Sequence, residues 1–356
     1  MKIKNIQLKD HPILKNLKAD FCNEKGEVQN LIVIAGSNGS GKTNLLEAIY
    51  DYFKEKSELK ETCNSEMELL DEKLDYPNKI IYLPTEINFS NVQMANDKYR
   101  YDYKFLNRVD SNMVNDIPSY LATKVKLMQK ANEDMSYKEI KERVSEETNK
   151  IFEALELDVK MIGFTSDEKD LPLFTNSYGE EFDINKLSSG EKQLFIRALT
   201  LKMVEAENAI ILIDEPEISL HPKWQQKIVK VYENIGKNNQ VIIATHSPHI
   251  LGSVSNENIR VMRKTAKGIE IKTYDELTYG QSIETILEDV MELENVITPE
   301  IADKFKKLHE MILNGEYETE NFKSLHQELG KVLGPHNEEL LLLNLQLSVV
   351  KGKRGN

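Results

Sequence analysis

The stretch LIVIAGSNGSGKT, residues 31–43, decides how the rest of the chain is read. Leu31 to Ala35 is an unbroken apolar run that stops at a glycine, the pattern of a strand covered on both faces of a mainly parallel sheet. Gly36, Ser37, Asn38, Gly39, Ser40, Gly41, Lys42 and Thr43 then match the phosphate-binding loop pattern, with a helix expected to open near Lys42. A strand before the match and a helix after it make it specific. In such a loop the glycines let backbone N–H groups turn inward around β- and γ-phosphates at the positive end of a helix. Lys42 would neutralise phosphate charge and Thr43 would offer its hydroxyl to Mg2+, so ATP and Mg2+ are the ligands this stretch predicts.

Two more buried runs lie downstream. Ala209 to Ile213 ends in Asp214 and Glu215, and Val241 to Ala244 ends in Thr245 and His246. All three runs place polar residues at their C-terminal ends, the edge at which an open α/β sheet binds ligands. The expected fold is therefore α/β, a mixed sheet flanked by helices, with one site assembled from distant segments. Adjacent carboxylates at a dry strand end are costly unless something positive is bound. Asp214 suits the metal's coordination sphere, directly or through water, and Glu215 suits polarisation of the attacking water. The plainer alternative is a charged pair that caps a strand. His246 is placed to contact the γ-phosphate or to hold the nucleophilic water, although a lone histidine is more often structural. His249 reads as a helix-start residue.

Composition narrows the rest. At 356 residues the chain has room for two domains or one domain with a large insertion. Its 46 basic and 59 acidic residues leave a net charge of -13, which excludes a surface that grips nucleic acid everywhere; any DNA contact must be a local patch. Two cysteines, Cys22 and Cys63, are too few and too widely spaced for a disulfide scaffold or a zinc knuckle, which predicts a reducing cytosol. The charged start lacks an apolar signal segment, and the apolar stretch from Leu340 to Val350 is interrupted by Asn344 and Gln346 and too short to span a bilayer. A cytoplasmic protein with no membrane contact is expected.

Four parts follow along the chain. Residues 1–57 hold the phosphate loop, preceded by apolar patches (Ile3, Ile6, Leu8 and Ile13, Leu14, Leu17) that predict a pair of strands. Residues 58–160 are polar and tyrosine-bearing and read as a mainly helical insertion. There Ser136 and Glu139 fit a capping box, and Ile140, Val144, Ile151 and Leu155 recur at helical spacing. Residues 161–273 return to the sheet. Residues 274–356 read as a helical region, with Thr298, Pro299 and Glu300 opening a helix that Asn314 and Gly315 close. Leu340, Leu341, Leu342, Leu343, Leu345 and Leu347 occupy more than one helical face, so this last helix fills a local core or docks a partner.

LSSGEKQ, Leu187 to Gln193, resembles the LSGGQ signature of ABC ATPases in an LSxGE form. Taken alone it is equally a serine N-cap with Glu191 three residues on. GSNGSGKT, LSSGEKQ, IILIDEPEISLHP and ATHSPHIL, however, occur in the order of an ABC-type ATPase head. The tail of the third motif, Glu217, Ser219, Leu220, His221 and Pro222, resembles the D-loop of the OLD-like and Septu-type (PtuA-like) AAA-family ATPases of bacterial anti-phage defence, relatives of SMC and RecF-like heads. The resemblance covers Met1 to about Lys264 plus Tyr279 and Gly280.

That resemblance implies an ABC-ATPase head with a Mg-dependent ATPase activity. It implies that Ser188, Ser189 and Gly190 face a γ-phosphate held by the opposite subunit, hence a homodimer closed through the nucleotide sites, with higher oligomers compatible. It further implies an effector partner, a nuclease suspected to be of HNH type, since the chain itself shows neither an HNH arrangement nor a TOPRIM-like acidic cluster. The family's Q-loop glutamine, a metal ligand, is assigned to Gln93 after the strand Ile80 to Leu83, with a solvent-exposed loop glutamine as the alternative. Other functions compatible with such a head are DNA repair or maintenance and a non-turnover ATP-sensing scaffold. A transporter subunit fits worst, because Glu191 replaces the usual signature glutamine and SerLeuHis stands where SerAlaLeuAsp is common. Lys98, Tyr99, Arg100, Tyr101, Tyr103, Lys104, Phe105 and Arg108 interleave basic and aromatic residues, a pattern able to stack bases or simply to pack. Trp224 reads as packing.

Overall fold

The strands of the computed structural model are, in chain order, β1 (Lys2–Leu8), β2 (Lys18–Asp20), β3 (Leu31–Ala35), β4 (Ser65–Leu70), β5 (Lys79–Leu83), β6 (Leu106–Arg108), β7 (Lys160–Phe164), β8 (Pro172–Thr175), β9 (Glu181–Asp183), β10 (Ala209–Asp214), β11 (Gln240–Ala244), β12 (Ile259–Thr265) and β13 (Gly268–Thr273). The structure describes residues 1–58, 65–70, 78–85, 87, 104–167, 170–266, 268–293 and 297–354.

Seven strands form the central sheet in the order β13-β12-β3-β11-β10-β5-β6. All neighbours pair in parallel except the β12–β13 edge hairpin. Every residue of β3, β5, β10 and β11 is buried, because continuous Ile, Leu and Val runs are stable only where helices cover both faces of a parallel sheet. Register aligns the three polar-ended strands: Asp214 pairs with Ala244, and Ala244 with Ile34. The chain therefore delivers the phosphate loop, the acidic pair and His246 side by side at one sheet edge.

An antiparallel sheet, β2-β1-β4, packs beside the central one. Gln240 ties the two together, its side-chain oxygen accepting from the Ile3 amide at 2.7 Å and its nitrogen donating to the Ile3 carbonyl at 2.9 Å. The second N-terminal strand lies at 18–20 rather than across Ile13 to Leu17. His11 caps a turn there, its Nδ1 accepting from the amides of Ile13 and Leu14. Leu14 is buried because it packs beneath Gly41 of the phosphate loop, while Ile13 is half exposed. Residues 58–160 hold helices at Ser111–Asn115, Ile117–Ala131 and Tyr137–Phe152, the last opened by the Ser136–Glu139 capping box. The same segment also supplies β4, β5 and β6, since Lys79–Leu83 is as apolar as the other central strands and pairs directly with β10.

The chain divides into two compact units, Met1–Ile286 and Leu287–Asn356. The second consists of the helices Pro299–Asn314, Glu320–Leu333 and Glu338–Arg354. Thr298 precedes the first of these and Gly315, at φ 80°, closes it. Phe305, Leu308, Ile312, Phe322, Leu329, Leu340 and Leu343 form its core, whereas Leu341, Leu342 and Leu345 face solvent. Among the described residues no helix is long and apolar enough to cross a membrane.

Candidate functional site

The helix Lys42–Ser57 starts from Gly41 in a left-handed conformation, and no side chain caps it. Its first amide groups thus remain available at the positive end of the helix. Gly36 sits at φ 154°, and a β-carbon there would come within 2.5 Å of the Met262 carbonyl oxygen of β12. Only glycine lets the loop leave β3 so close to its neighbouring strand. The Ser40 hydroxyl is buried without a hydrogen-bond partner among the described residues, an orphaned donor directed into the loop.

Lys42 is 4% exposed. Its ammonium donates to the carbonyls of Gly36 at 2.9 Å and Ser37 at 3.3 Å, and lies 2.8 Å from Nε2 of His246. Burial pushes the Lys42 ammonium down to about 8, against the upward pull of Glu215, Glu217 and Asp214. His246 is held below its ordinary range by burial and by Lys42. Its Nε2 is also 3.2 Å from Oε1 of Glu215. A neutral imidazole that accepts from Lys42 at Nε2 has no proton there for Glu215, so the two contacts at Nε2 are alternatives and not simultaneous hydrogen bonds. Burial and the nearby Asp214 and Glu217 carboxylates raise Glu215 above its ordinary value, against the downward pull of Lys42, the direction that makes it a better proton acceptor.

Glu215 occupies a left-handed backbone position, φ 44°, and its amide donates to the Ala244 carbonyl at 2.9 Å. Strain of this kind at a strand end persists only where surrounding bonds enforce it. Asp214 is 1% exposed, and Thr43 Oγ1 donates to its Oδ2 at 2.9 Å. Two adjacent ligands of an octahedral Mg2+ stand about 2.9 Å apart, from metal–oxygen distances near 2.1 Å. Thr43 and Asp214 offer hard oxygens at that spacing, so the donor set fits the ion that the phosphate loop implies.

Ser188 and Ser189 are exposed at the start of the helix Ser189–Met203. Ser188 forms a capping box with Glu191, its hydroxyl donating to Oε2 at 2.6 Å. The N-cap reading of LSSGEKQ is thus what the geometry shows, with Ser188 and Ser189 left exposed. Gly190 is buried, and a β-carbon on it would lie 2.5 Å from the Ser219 carbonyl and 3.4 Å from the Trp224 ring. The signature and D-loop segments are therefore packed on each other, and Trp224 is part of that packing. The structure brings Lys42, Thr43, Asp214, Glu215 and His246 together; Ser188 and Ser189 bond to none of them among the described residues. Gln93 and Lys98 to Tyr103 lie outside the described residues. Arg108 stacks over Tyr82, 4.9 Å from the ring centre, and pairs with Glu47 at 3.4 Å.

Two contacts escaped the sequence. Glu217 Oε1 accepts from the Thr245 hydroxyl at 2.7 Å and the His246 amide at 2.6 Å, so it fixes the backbone that presents His246. Its place two residues after Glu215 was the available signal. Thr85, just beyond β5, donates from Oγ1 to Asp214 Oδ2 at 2.8 Å, and no short motif marks it.

A family profile described as "AAA domain, putative AbiEii toxin, Type IV TA system" matches residues 85–252. Over 213 residues the chain is 30% identical to the "Retron Vc95 probable ATPase" of Vibrio cholerae serotype O1 biovar El Tor, covering 55% of this chain and 41% of that protein. It is 29% identical to the "Retron Ec83 probable ATPase" of Escherichia coli over 50% of this chain and 34% of that protein. It is also 29% identical to "Septu protein PtuA" of Bacillus thuringiensis over 55% of this chain and 53% of that one. The matched region thus spans about half or less of each relative's length.

Proposed function

We propose, on the premise that the chain belongs to the PtuA-like AAA/ABC-type ATPases of anti-phage defence, that it binds and hydrolyses Mg-ATP as a nucleotide-closed homodimer and thereby switches a partner effector. The observation that carries this is the convergence of Lys42, Thr43, Asp214, Glu215 and His246 from three adjacent strand ends. Lys42 and the uncapped amides of its helix bind the β- and γ-phosphates. Thr43 and Asp214 would hold Mg2+, which supplies charge neutralisation between the phosphates. Glu215 orients water for in-line attack and accepts its proton, and His246, fixed through Glu217, steadies charge at the γ-phosphate.

Two features support a second copy. Ser188 and Ser189 are exposed and uncommitted to their own phosphate loop, and the packed Gly190–Ser219 contact makes signature and D-loop one surface. In this reading each copy's Ser188, Ser189 and Gly190 complete the other's phosphate site. The effector in this reading is a nuclease supplied by another chain, as the resemblance to Septu-type ATPases implies. The test is Glu215→Gln. ATP affinity is retained, turnover falls by about 100-fold or more, and light scattering finds a dimer that persists with ATP. Undiminished turnover in this variant overturns the assignment.

A further inference from the structure

We propose that Thr85 is a positioning residue of the metal site, holding the Asp214 carboxylate together with Thr43, and that the buried Arg197 holds Thr85 in place. This rests on the ATPase reading above and deepens it. Asp214 Oδ2 accepts from two hydroxyls, Thr43 Oγ1 at 2.9 Å and Thr85 Oγ1 at 2.8 Å. Two hydroxyls on one oxygen, with Thr43 Oγ1 also 3.2 Å from Oδ1, restrict rotation about the last torsion, so the remaining lone pairs keep one direction. Thr43 arrives from the phosphate loop. Thr85 arrives from just past β5, the strand that pairs with β10 on the side away from β11. No sequence motif would have found it: the contact exists because β5 and β10 run in register to Leu83 and Ile213, which brings the next residues of both strands together.

Arg197 explains why Thr85 stays there. It lies on the signature helix Ser189–Met203 and is 1% exposed. Its Nη2 donates to two successive carbonyls, Pro84 at 3.1 Å and Thr85 at 3.0 Å. A guanidinium cannot shed its charge on burial, so it binds whatever acceptors it has firmly. Pro84 removes a further degree of freedom by fixing its own φ. The turn is thus clamped from the helix whose N-terminus carries Ser188 and Gly190. Helix, Arg197, turn, Thr85 and Asp214 form one unbroken chain of contacts, so displacement of the signature helix is transmitted to the carboxylate that faces the metal.

The test uses the full-length chain with Mn2+ in place of Mg2+ and AMP-PNP as nucleotide, reading free Mn2+ by electron paramagnetic resonance. Thr85→Val, which keeps shape and removes the hydroxyl, loosens Mn2+ in the ternary complex by about tenfold. Metal-free AMP-PNP affinity stays within about twofold, and Thr85→Ser restores Mn2+ binding. Arg197→Lys loosens Mn2+ in the same direction, and its effect does not add to that of Thr85→Val. If Arg197→Lys fails to fold, the Val and Ser variants of Thr85 decide alone. Wild-type Mn2+ affinity in Thr85→Val, with Asp214→Asn clearly weakened, overturns the role of Thr85 and leaves the ATPase reading intact. Absence of AMP-PNP binding to the wild type, or an unaffected Asp214→Asn, overturns the ATPase reading itself.

Discussion

Nζ of Lys42 stands 2.8 Å from Nε2 of His246, a contact between residues 204 positions apart in the chain. It joins the phosphate loop to the end of β11 and holds a buried ammonium against an imidazole, with carbonyls as its other acceptors. Among the described residues the acceptors of this ammonium are two carbonyls and a ring nitrogen, none of them an anion. Such a charge suits the nucleotide phosphates proposed above.

Nucleotide binding should therefore draw a proton onto Lys42. Burial lowers its ammonium to about 8, and phosphate favours the charged form. Below that pH the lysine is already charged and affinity is flat. Above it the free protein must first take up a proton, so affinity falls by up to about tenfold per pH unit until the raised pKa of the bound state is reached. Calorimetry near pH 9 in two buffers of different ionisation enthalpy should report proton uptake in the wild type and none in Lys42→Met. An affinity that stays level through this range contradicts the coupling.

Glu217 acts on turnover through His246. Glu217→Ala removes the acceptor of the His246 amide and the Thr245 hydroxyl, leaving both donors unpaired. Stability should fall by about 1–3 kcal/mol and kcat by about tenfold, with KM for ATP nearly unchanged, because Glu217 bonds the backbone and side chain that present His246 and no residue of the phosphate loop among the described residues. Glu217→Gln keeps an oxygen in place and should recover most of both. A change confined to KM would place Glu217 elsewhere in the mechanism.

Ser136 and Ser188 form the same capping box in two helices, which separates capping from catalysis. Alanine at either position should cost about 1 kcal/mol in thermal or urea unfolding. Only Ser188→Ala should also slow ATP turnover, by about tenfold or more, if its exposed face meets the partner's nucleotide. Equal turnover in the two variants would reduce the signature to a helix start.

In the C-terminal unit Leu343 is fully buried and Leu345 is 65% exposed, though they are two residues apart on one helix. Leu343→Ala should destabilise that unit by about 2–4 kcal/mol; Leu345→Ala should change it by about 0.5 kcal/mol or less. Hydrogen exchange over residues 299–351 would distinguish them, and similar exchange in both variants would rule out this packing.

The phosphate loop, Asp214, Glu215 and His246 were legible because each ends an apolar run that is a strand by local composition alone. The helix start at Thr298–Pro299 and stop at Gly315 were legible for a similar reason, since caps are local chemistry. Ile13 to Leu17 misled because Leu14 is apolar for a tertiary reason, its packing beneath Gly41 of the phosphate loop, and not for strand alternation. Thr85 and Arg197 carried no signal at all. A threonine after a strand and an arginine in a helix are ordinary in sequence, and only the contacts made after folding distinguish them.

By itself the amino-acid order determined that the continuous apolar runs of β3, β5, β10 and β11 are strands, where the glycine-rich loop turns, and which side chains stand at the ends of those runs, because hydrophobic period, glycine freedom and capping act over a few neighbouring residues. Tertiary structure alone decided that β3, β11, β10 and β5 lie side by side, and therefore that Thr43 and Thr85 grip one carboxylate and Glu217 holds the backbone of His246. Strand order is set by how buried faces are shared across the whole sheet, a property of the packed chain that no short window contains.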